Sequence, residues 1–169
     1  MTKYERERSF SDRYLPAIKA IVGPMLLEPA SFEVDTKQAT DLVILTARDI
    51  RIAVRVRRAD KYLDRYGYEI TVREKLDSGV KTEWDKIIDG ECAHWFFYGF
   101  ANPDNDQILH WWLIDLKRMM ANCFRHWSKI RTGTQSNGDG THFRWFDLRT
   151  FPDPILIAGS RSLPSLVAA

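Results

Sequence analysis

The pattern of apolar residues predicts a mixed α/β or α+β fold in which a β-sheet is flanked by helices. Three observations carry this. Residues 48–58 read Arg-Asp-Ile-Arg-Ile-Ala-Val-Arg-Val-Arg-Arg and alternate with the period of a strand. Two runs, at 10–21 and 116–127, place apolar residues three and four apart, the period of a helix. No repeat, low-complexity tract or Gly/Ser-rich linker interrupts the 169 residues, so a single domain over 1–169 is expected. With 44% hydrophobic and 12% aromatic residues the chain can build a core, which excludes a disordered or fibrous polymer.

In chain order, Phe10, Tyr14, Ala17, Ile18 and Ile21 predict an amphipathic helix with Ser11 or Asp12 as its cap, Pro16 as a kink and Gly23-Pro24 as its end. Phe32–Asp35 and Asp41–Leu45 read as extended runs. In the alternating run Ile50, Ile52, Val54 and Val56 fall on one face and Arg51, Ala53, Arg55 and Arg57 on the other, so a core face and a cationic face are expected. Tyr68–Glu74 reads as a strand and Thr82–Asp89 as a short helix, with Thr82 as N-cap and Asp85 completing a capping box. Ala93–Phe100 and Leu109–Asp115 read as apolar strands whose aromatic residues fill the core. Leu116, Met119, Met120, Cys123 and Trp127 define a helix, 132–141 a polar loop, and His142–Leu148 a last strand.

Charge is unevenly distributed. Lys and Arg number 25 against 23 Asp and Glu, yet 48–75 holds 9 basic and 5 acidic residues, 76–115 holds 2 and 8, and 116–149 holds 7 and 2. Such blocks fit either a basic face for an anionic partner or an ordinary mixed surface. No apolar stretch approaches the roughly 20 residues that cross a bilayer, and the start lacks a secretory signal, so no membrane contact is expected. Cys92 and Cys123 are expected as thiols in a reducing cytoplasm. Cys92-Ala-His94 and Cys123-Phe-Arg-His126 have zinc-ligand residue types without the usual spacing, and zinc is not expected. The glycines of 133–140 lack the Lys-Ser/Thr ending of a phosphate-binding P-loop, and no serine-hydrolase, zinc-protease or dinucleotide fingerprint occurs.

A carboxylate at the head of one strand, opposite polar residues on the next, is the layout that metal-dependent phosphodiesterases use to hold magnesium beside a phosphate. Asp41-Leu-Val-Ile-Leu followed by Ile52-Ala-Val-Arg-Val-Arg57 has that layout, and the order helix, strand, strand, strand, helix, strand resembles the PD-(D/E)xK nuclease superfamily. The stretch from Thr40 to Ile114 is also similar to a group of tailed-phage and prophage proteins. The pieces that carry this are Ala39-Thr40-Asp41-Leu, Tyr68-Glu-Ile-Thr-Val-Arg73, Ser78-Gly-Val-Lys-Thr-Glu-Trp-Asp-Lys86, His94-Trp-Phe-Phe-Tyr98-Gly-Phe and Trp112-Leu-Ile-Asp115. The positions of the acid and the lysine of the nuclease motif hold Arg55 and Arg57, which neither ligate a cation nor act as a base.

The resemblance implies a DNA-associated phage or prophage protein in a bacterial host's cytoplasm, with DNA or a host or phage protein as its partner and a homodimer as one option. If active, it would be a magnesium-dependent endonuclease or exonuclease. Asp41 would ligate the metal with Glu33, Glu83 would supply a further acid, and Lys86 would orient or protonate. Arg51, Arg55, Arg57, Arg58, Arg73 and Lys81 would bind the phosphates. Two alternatives stand beside this. Arg55 and Arg57 can instead pair across the sheet with Asp41, Glu69 or Glu33. The whole chain can instead be a catalytically dead interaction protein, whose acidic 76–115 segment occupies the nucleic-acid groove of a host nuclease or defence complex.

Overall fold

The computed structural model describes residues 9–29, 42–44, 50–75, 81–137 and 140–163. The chain forms two compact units, 1–50 and 51–169. In the first, residues 9–12 are helical, and α1 (Leu15–Val22) starts after a break at Arg13 and Tyr14. The single helix expected from Phe10 is therefore two pieces. Tyr14, rather than Ser11 or Asp12, stands at the N-cap position of the second and gives it no side-chain cap, and Pro16 sits in its first turn, where a missing N–H costs nothing. Tyr14, Ile18 and Val22 recur at four-residue spacing and are buried, with the Phe10 ring edge-on to Tyr14 at 5.2 Å. A 3₁₀ turn at Gly23–Leu26 leads into β1 (Leu27–Pro29), which pairs antiparallel with β2 (Leu42–Ile44). The run expected at Phe32–Asp35 lies outside the described residues.

The described residues of the second unit form two sheets and three α-helices. Its elements are β3 (Ile52–Arg58), α2 (Ala59–Tyr66), β4 (Glu69–Lys75), α3 (Glu83–Ile88), β5 (Trp95–Ala101), β6 (Ile108–Asp115), α4 (Leu116–His126), β7 (Thr132–Ser136), β8 (His142–Asp147) and β9 (Leu156–Gly159). One sheet runs β3-β5-β6-β9, the other β4-β8-β7. The chain is thus mixed α/β, but its strands divide among separate sheets where one had been expected. β3 and β5 are parallel, so the chain must leave the sheet between them. It does so through α2, β4 and α3, and contributes β4 to the second sheet on the way. Every other pairing is antiparallel.

Besides β1, which stands where the sequence reads as a turn at Glu28-Pro29, three elements of the second unit were not anticipated. α2 follows β3 directly and shows little apolar content beyond Tyr62 and Leu63, which pack on the core. β7 occupies the first half of the expected polar loop; its Thr132-Gly-Thr-Gln-Ser136 has no apolar alternation, because it is an outer strand whose pairing with β8 supplies the stabilisation. β9 is a four-residue outer strand after a proline-rich turn.

The core of this unit is one cluster. Phe96, Tyr98 and Phe100 of β5, with Trp112 and Ile114 of β6, meet Ile70 and Val72 of β4 and Phe146 of β8. Trp84 and Ile87 of α3 and Leu116, Met119 and Cys123 of α4 complete it. Successive aromatic rings of β5 meet edge to face, 5.7 Å for Phe96–Tyr98 and 5.5 Å for Tyr98–Phe100. On the opposite face of β5, Phe97 stacks on Trp111 at 5.8 Å.

Trp112 is fully buried and must donate its indole N–H; the Gly67 carbonyl accepts it at 2.8 Å. The same carbonyl lies 3.2 Å from His110 Nε2. A carbonyl only accepts, so Nε2 carries the hydrogen and Nδ1 accepts from the Ser160 hydroxyl, 2.5 Å away. Burial, with Arg161 nearby, holds the His110 imidazole below its ordinary pKa, which keeps it neutral. Gly159 lies against the indole, and a Cβ placed there would come within 2.6 Å of Trp112 Cε3.

Two outcomes follow from this arrangement. Gly159→Ala has to displace a fully buried indole, so it should lower the unfolding free energy by about 1–3 kcal/mol in urea denaturation. A lowered imidazole pKa contributes stability that is complete above the unfolded value of about 6.5 and is lost as pH falls through the folded one. The melting temperature should therefore drop between about pH 7.5 and 5 by more in the native chain than in His110→Gln; equal slopes would show that His110 is not held neutral.

Candidate functional site

The expected site residues divide by what the fold does with them. Asp41 and Glu33 lie outside the described residues. Glu83 occupies the first position of α3, which exists because Thr82 and Asp85 form the expected capping box: the Thr82 N–H donates to Asp85 Oδ2 at 2.8 Å and the Asp85 N–H to Thr82 Oγ1 at 3.4 Å. The two Thr82 hydrogen bonds, backbone first, hold the Asp85 carboxyl below its ordinary value. Lys86 lies one turn after Glu83 on the same exposed side of α3.

The cationic face of β3 is not a solvent face. Register places Arg55 beside Tyr98 and Arg57 beside Phe100, on the side of β5 that builds the core. Arg55 is 12% exposed, and its guanidinium donates to both oxygens of Glu83, which is 45% exposed. Glu83 also accepts from the Arg73 backbone N–H at 3.0 Å. Arg55 and Arg73 both lie over the Phe143 ring, at 5.4 and 5.8 Å from its centre. Arg57 lies 4.5 Å over Tyr62, with its buried Nε lacking a hydrogen-bond partner. Long arginine stems pack against the apolar wall while the charged heads find rings and a carboxylate, so alternation alone does not distinguish this face from a solvated one.

The other expected phosphate ligands are compensated locally or stand apart. Arg58 pairs with Asp60 at 2.9 Å, and Lys81 bridges Asp89 at 2.8 Å and Glu91 at 3.0 Å. Arg51 is exposed at the start of β3. Arg55 thus pairs with a carboxylate, as one sequence alternative held, but the partner is Glu83 from a helix rather than a cross-strand acid. Among the described residues no three His, Cys, Asp or Glu side chains gather as a metal-ligand set. The Cys92 thiol donates to the Ala93 carbonyl, and His94 Nδ1 accepts from the Arg51 N–H. Cys123 is in the core, where burial pushes its thiol up to about 11, and His126 lies 3.6 Å from Asp153.

Two further features come from the fold. The first is a cavity of about 240 Å³ between α3 and the edge of the four-stranded sheet, with Ala53, Val72, Ile87, Phe96 and Leu116 in its wall and Glu83, Lys86, Glu91 and Cys92 among its polar groups. The second is the outer face of α4. Asp115 caps this helix by accepting from the Arg118 N–H at 2.9 Å, and buried Asn122 ties it to the later chain by accepting from the Asp153 N–H at 3.0 Å. With Leu116, Met119, Asn122 and Cys123 turned inward, Lys117, Arg118, Phe124 and Arg125 are left outside, followed by Trp127, Lys129 and Arg131. Phe124 is 91% exposed and Trp127 44%. Arg118 pairs with Asp115 at 3.5 Å; Lys117, Arg125, Lys129 and Arg131 make no ion pair among the described residues. The signal for this face was the basic 116–149 block, but Trp127 fits the apolar helical spacing and reads as core. It sits instead in the 3₁₀ turn Trp127–Lys129, beneath the Arg144 guanidinium at 5.3 Å.

No family model, curated protein or solved structure matches the chain.

The Arg55–Glu83 pair can be measured directly. Glu83→Ala strands a nearly buried guanidinium and should cost about 1–3 kcal/mol of unfolding free energy. Arg55→Met in the same chain should restore at least half of that. Additive losses in urea denaturation of the single and double variants would mean that the two side chains are not coupled.

Proposed function

We propose that the chain is a nucleic-acid-binding protein that holds the sugar–phosphate backbone against the outer face of α4 and the 127–131 segment, without reading base sequence. The observation that carries this is that four cations lacking an ion-pair partner among the described residues share that stretch with two exposed aromatic rings. Uncompensated Lys and Arg gain affinity for phosphate by releasing condensed counterions. The exposed Phe124 ring beside them offers a stacking surface for unpaired bases, whatever the base, while the Trp127 ring is partly engaged by Arg144 and Phe146. Lys117 and Arg125 are eight residues apart on one helix, about 12 Å at 1.5 Å per residue.

The PD-(D/E)xK resemblance is part of the same proposal. In chain order α1, β1, β2, β3, α2 and β4 run helix, strand, strand, strand, helix, strand, and β3 has a parallel neighbour reached through helices. The Arg55–Glu83 pair supports a non-catalytic version, because a fixed guanidinium neutralises the acid to which a metal ion would otherwise bind. Hydrolysis would require Asp41 and Glu33 to hold magnesium, with Glu83 released from Arg55. A relative of phage nuclease-like proteins that has kept the nucleic acid and lost the metal is the reading that results.

The test is fluorescence anisotropy with labelled single-stranded and duplex DNA at about 50 and about 200 mM salt. Affinity should fall steeply with salt, by a log–log slope of about 0.7–0.9 per phosphate contact. Lys117→Glu/Arg125→Glu/Lys129→Glu should weaken binding at least about tenfold, and Phe124→Ala should weaken single-strand binding about five- to tenfold. Arg55→Met should leave it within about twofold, since that charge is used internally. Salt-insensitive binding, or none, overturns the proposal. Magnesium-dependent cleavage that vanishes in Asp41→Ala would replace it with a working nuclease.

A further inference from the structure

We propose that the cavity beneath α3 binds a small monoanionic acid whose apolar body is one ring or a medium-length acyl chain. This inference does not depend on the nucleic-acid reading, since none of its residues belongs to the α4 face.

Size sets the first limit. At about 240 Å³ the cavity exceeds the roughly 150 Å³ apolar void that admits benzene, yet falls below the roughly 300 Å³ at which sites for larger drug-sized ligands begin. Its wall is apolar along Ala53, Val72, Ile87, Phe96 and Leu116, so the part of the ligand that enters must be hydrocarbon.

Charge sets the second. Among the described residues four polar side chains line the cavity, and three are already neutral or engaged. Glu83 is held by the Arg55 guanidinium and the Arg73 N–H. Glu91 accepts from Lys81 at 3.0 Å. Burial raises the Cys92 thiol above its ordinary pKa, and the thiol donates to the Ala93 carbonyl. Lys86 alone brings an ammonium with no ion-pair partner among the described residues. An amine would meet that ammonium as a like charge, and an alcohol would gain only a neutral hydrogen bond. A carboxylate gains a charge-assisted one while its tail displaces water from the wall.

Calorimetry with octanoate, octanol and octylamine, which share one tail, separates these cases. Octanoate should bind saturably and at least about tenfold more tightly than octanol, with octylamine weakest. Lys86→Met should bring octanoate down to the octanol level and leave octanol unchanged. Ala53→Leu, which fills the wall, should abolish binding of all three. Equal affinity for octanoate and octanol, or octanoate binding that survives Ala53→Leu, overturns the proposal. If Ala53→Leu fails to fold, as judged by circular dichroism, the unaltered chain supplies the decision: octanoate should slow iodoacetamide alkylation of Cys92 with the midpoint found by calorimetry. Alkylation unaffected at saturation overturns the assignment.

Discussion

The second unit depends on one buried hydrogen bond. Trp112 is the largest fully buried side chain, and an indole N–H without an acceptor would cost much of what its burial contributes. The Gly67 carbonyl supplies that acceptor from the turn between α2 and β4, where the chain passes from the first sheet to the second. The bond therefore ties the centre of the four-stranded sheet to the start of the three-stranded one. Its neighbours follow from it. His110 shares the acceptor, Gly159 leaves room for the indole, and the Tyr68 ring lies 6.0 Å from it.

With the two sheets held in this way, Arg55 of β3 comes to lie over Phe143 and Arg57 over Tyr62 rather than in water. A sequence that alternates apolar and cationic residues normally reports a half-solvated strand. Here the alternation is real but both sides are partly buried, because aromatic rings and one carboxylate stand where water would be. The same ion pair shapes both functional readings. It engages the Glu83 carboxylate on which the proposed metal site would draw, and Lys86 is left without an ion-pair partner among the described residues.

Legibility in the sequence followed the source of each element's stability. β5, β6, β8, α3 and α4 were readable because their own side chains make the core or the cap: Phe96, Tyr98 and Phe100 alternate, Thr82 and Asp85 stand three apart, and Leu116, Met119 and Cys123 keep helical spacing. β7, β9 and α2 were not, because partners stabilise them and their own sequences are short or polar. The division into separate sheets was invisible because it depends on β4 pairing with β8, whose residues lie some seventy positions later. For the site, Glu83 and Lys86 were singled out by residue type as candidate catalytic groups, and the basic block at 116–149 was seen as a total. The exposure of Phe124 and Trp127 depends on which side of α4 meets the core, and a wide apolar stripe leaves that open.

The strand orders β3-β5-β6-β9 and β4-β8-β7 leave four outer strands with backbone groups able to template another chain. Each is guarded differently. β9 is only four residues long; β7 is polar and contains a glycine; β4 has an irregular register between Arg73 and Lys75; β3 carries three arginines within its last four residues. None offers the flat, apolar edge that invites intermolecular pairing or amyloid-like stacking. Among the described strands of the second unit, extending a sheet is therefore the less favourable way for a second copy of the chain to associate.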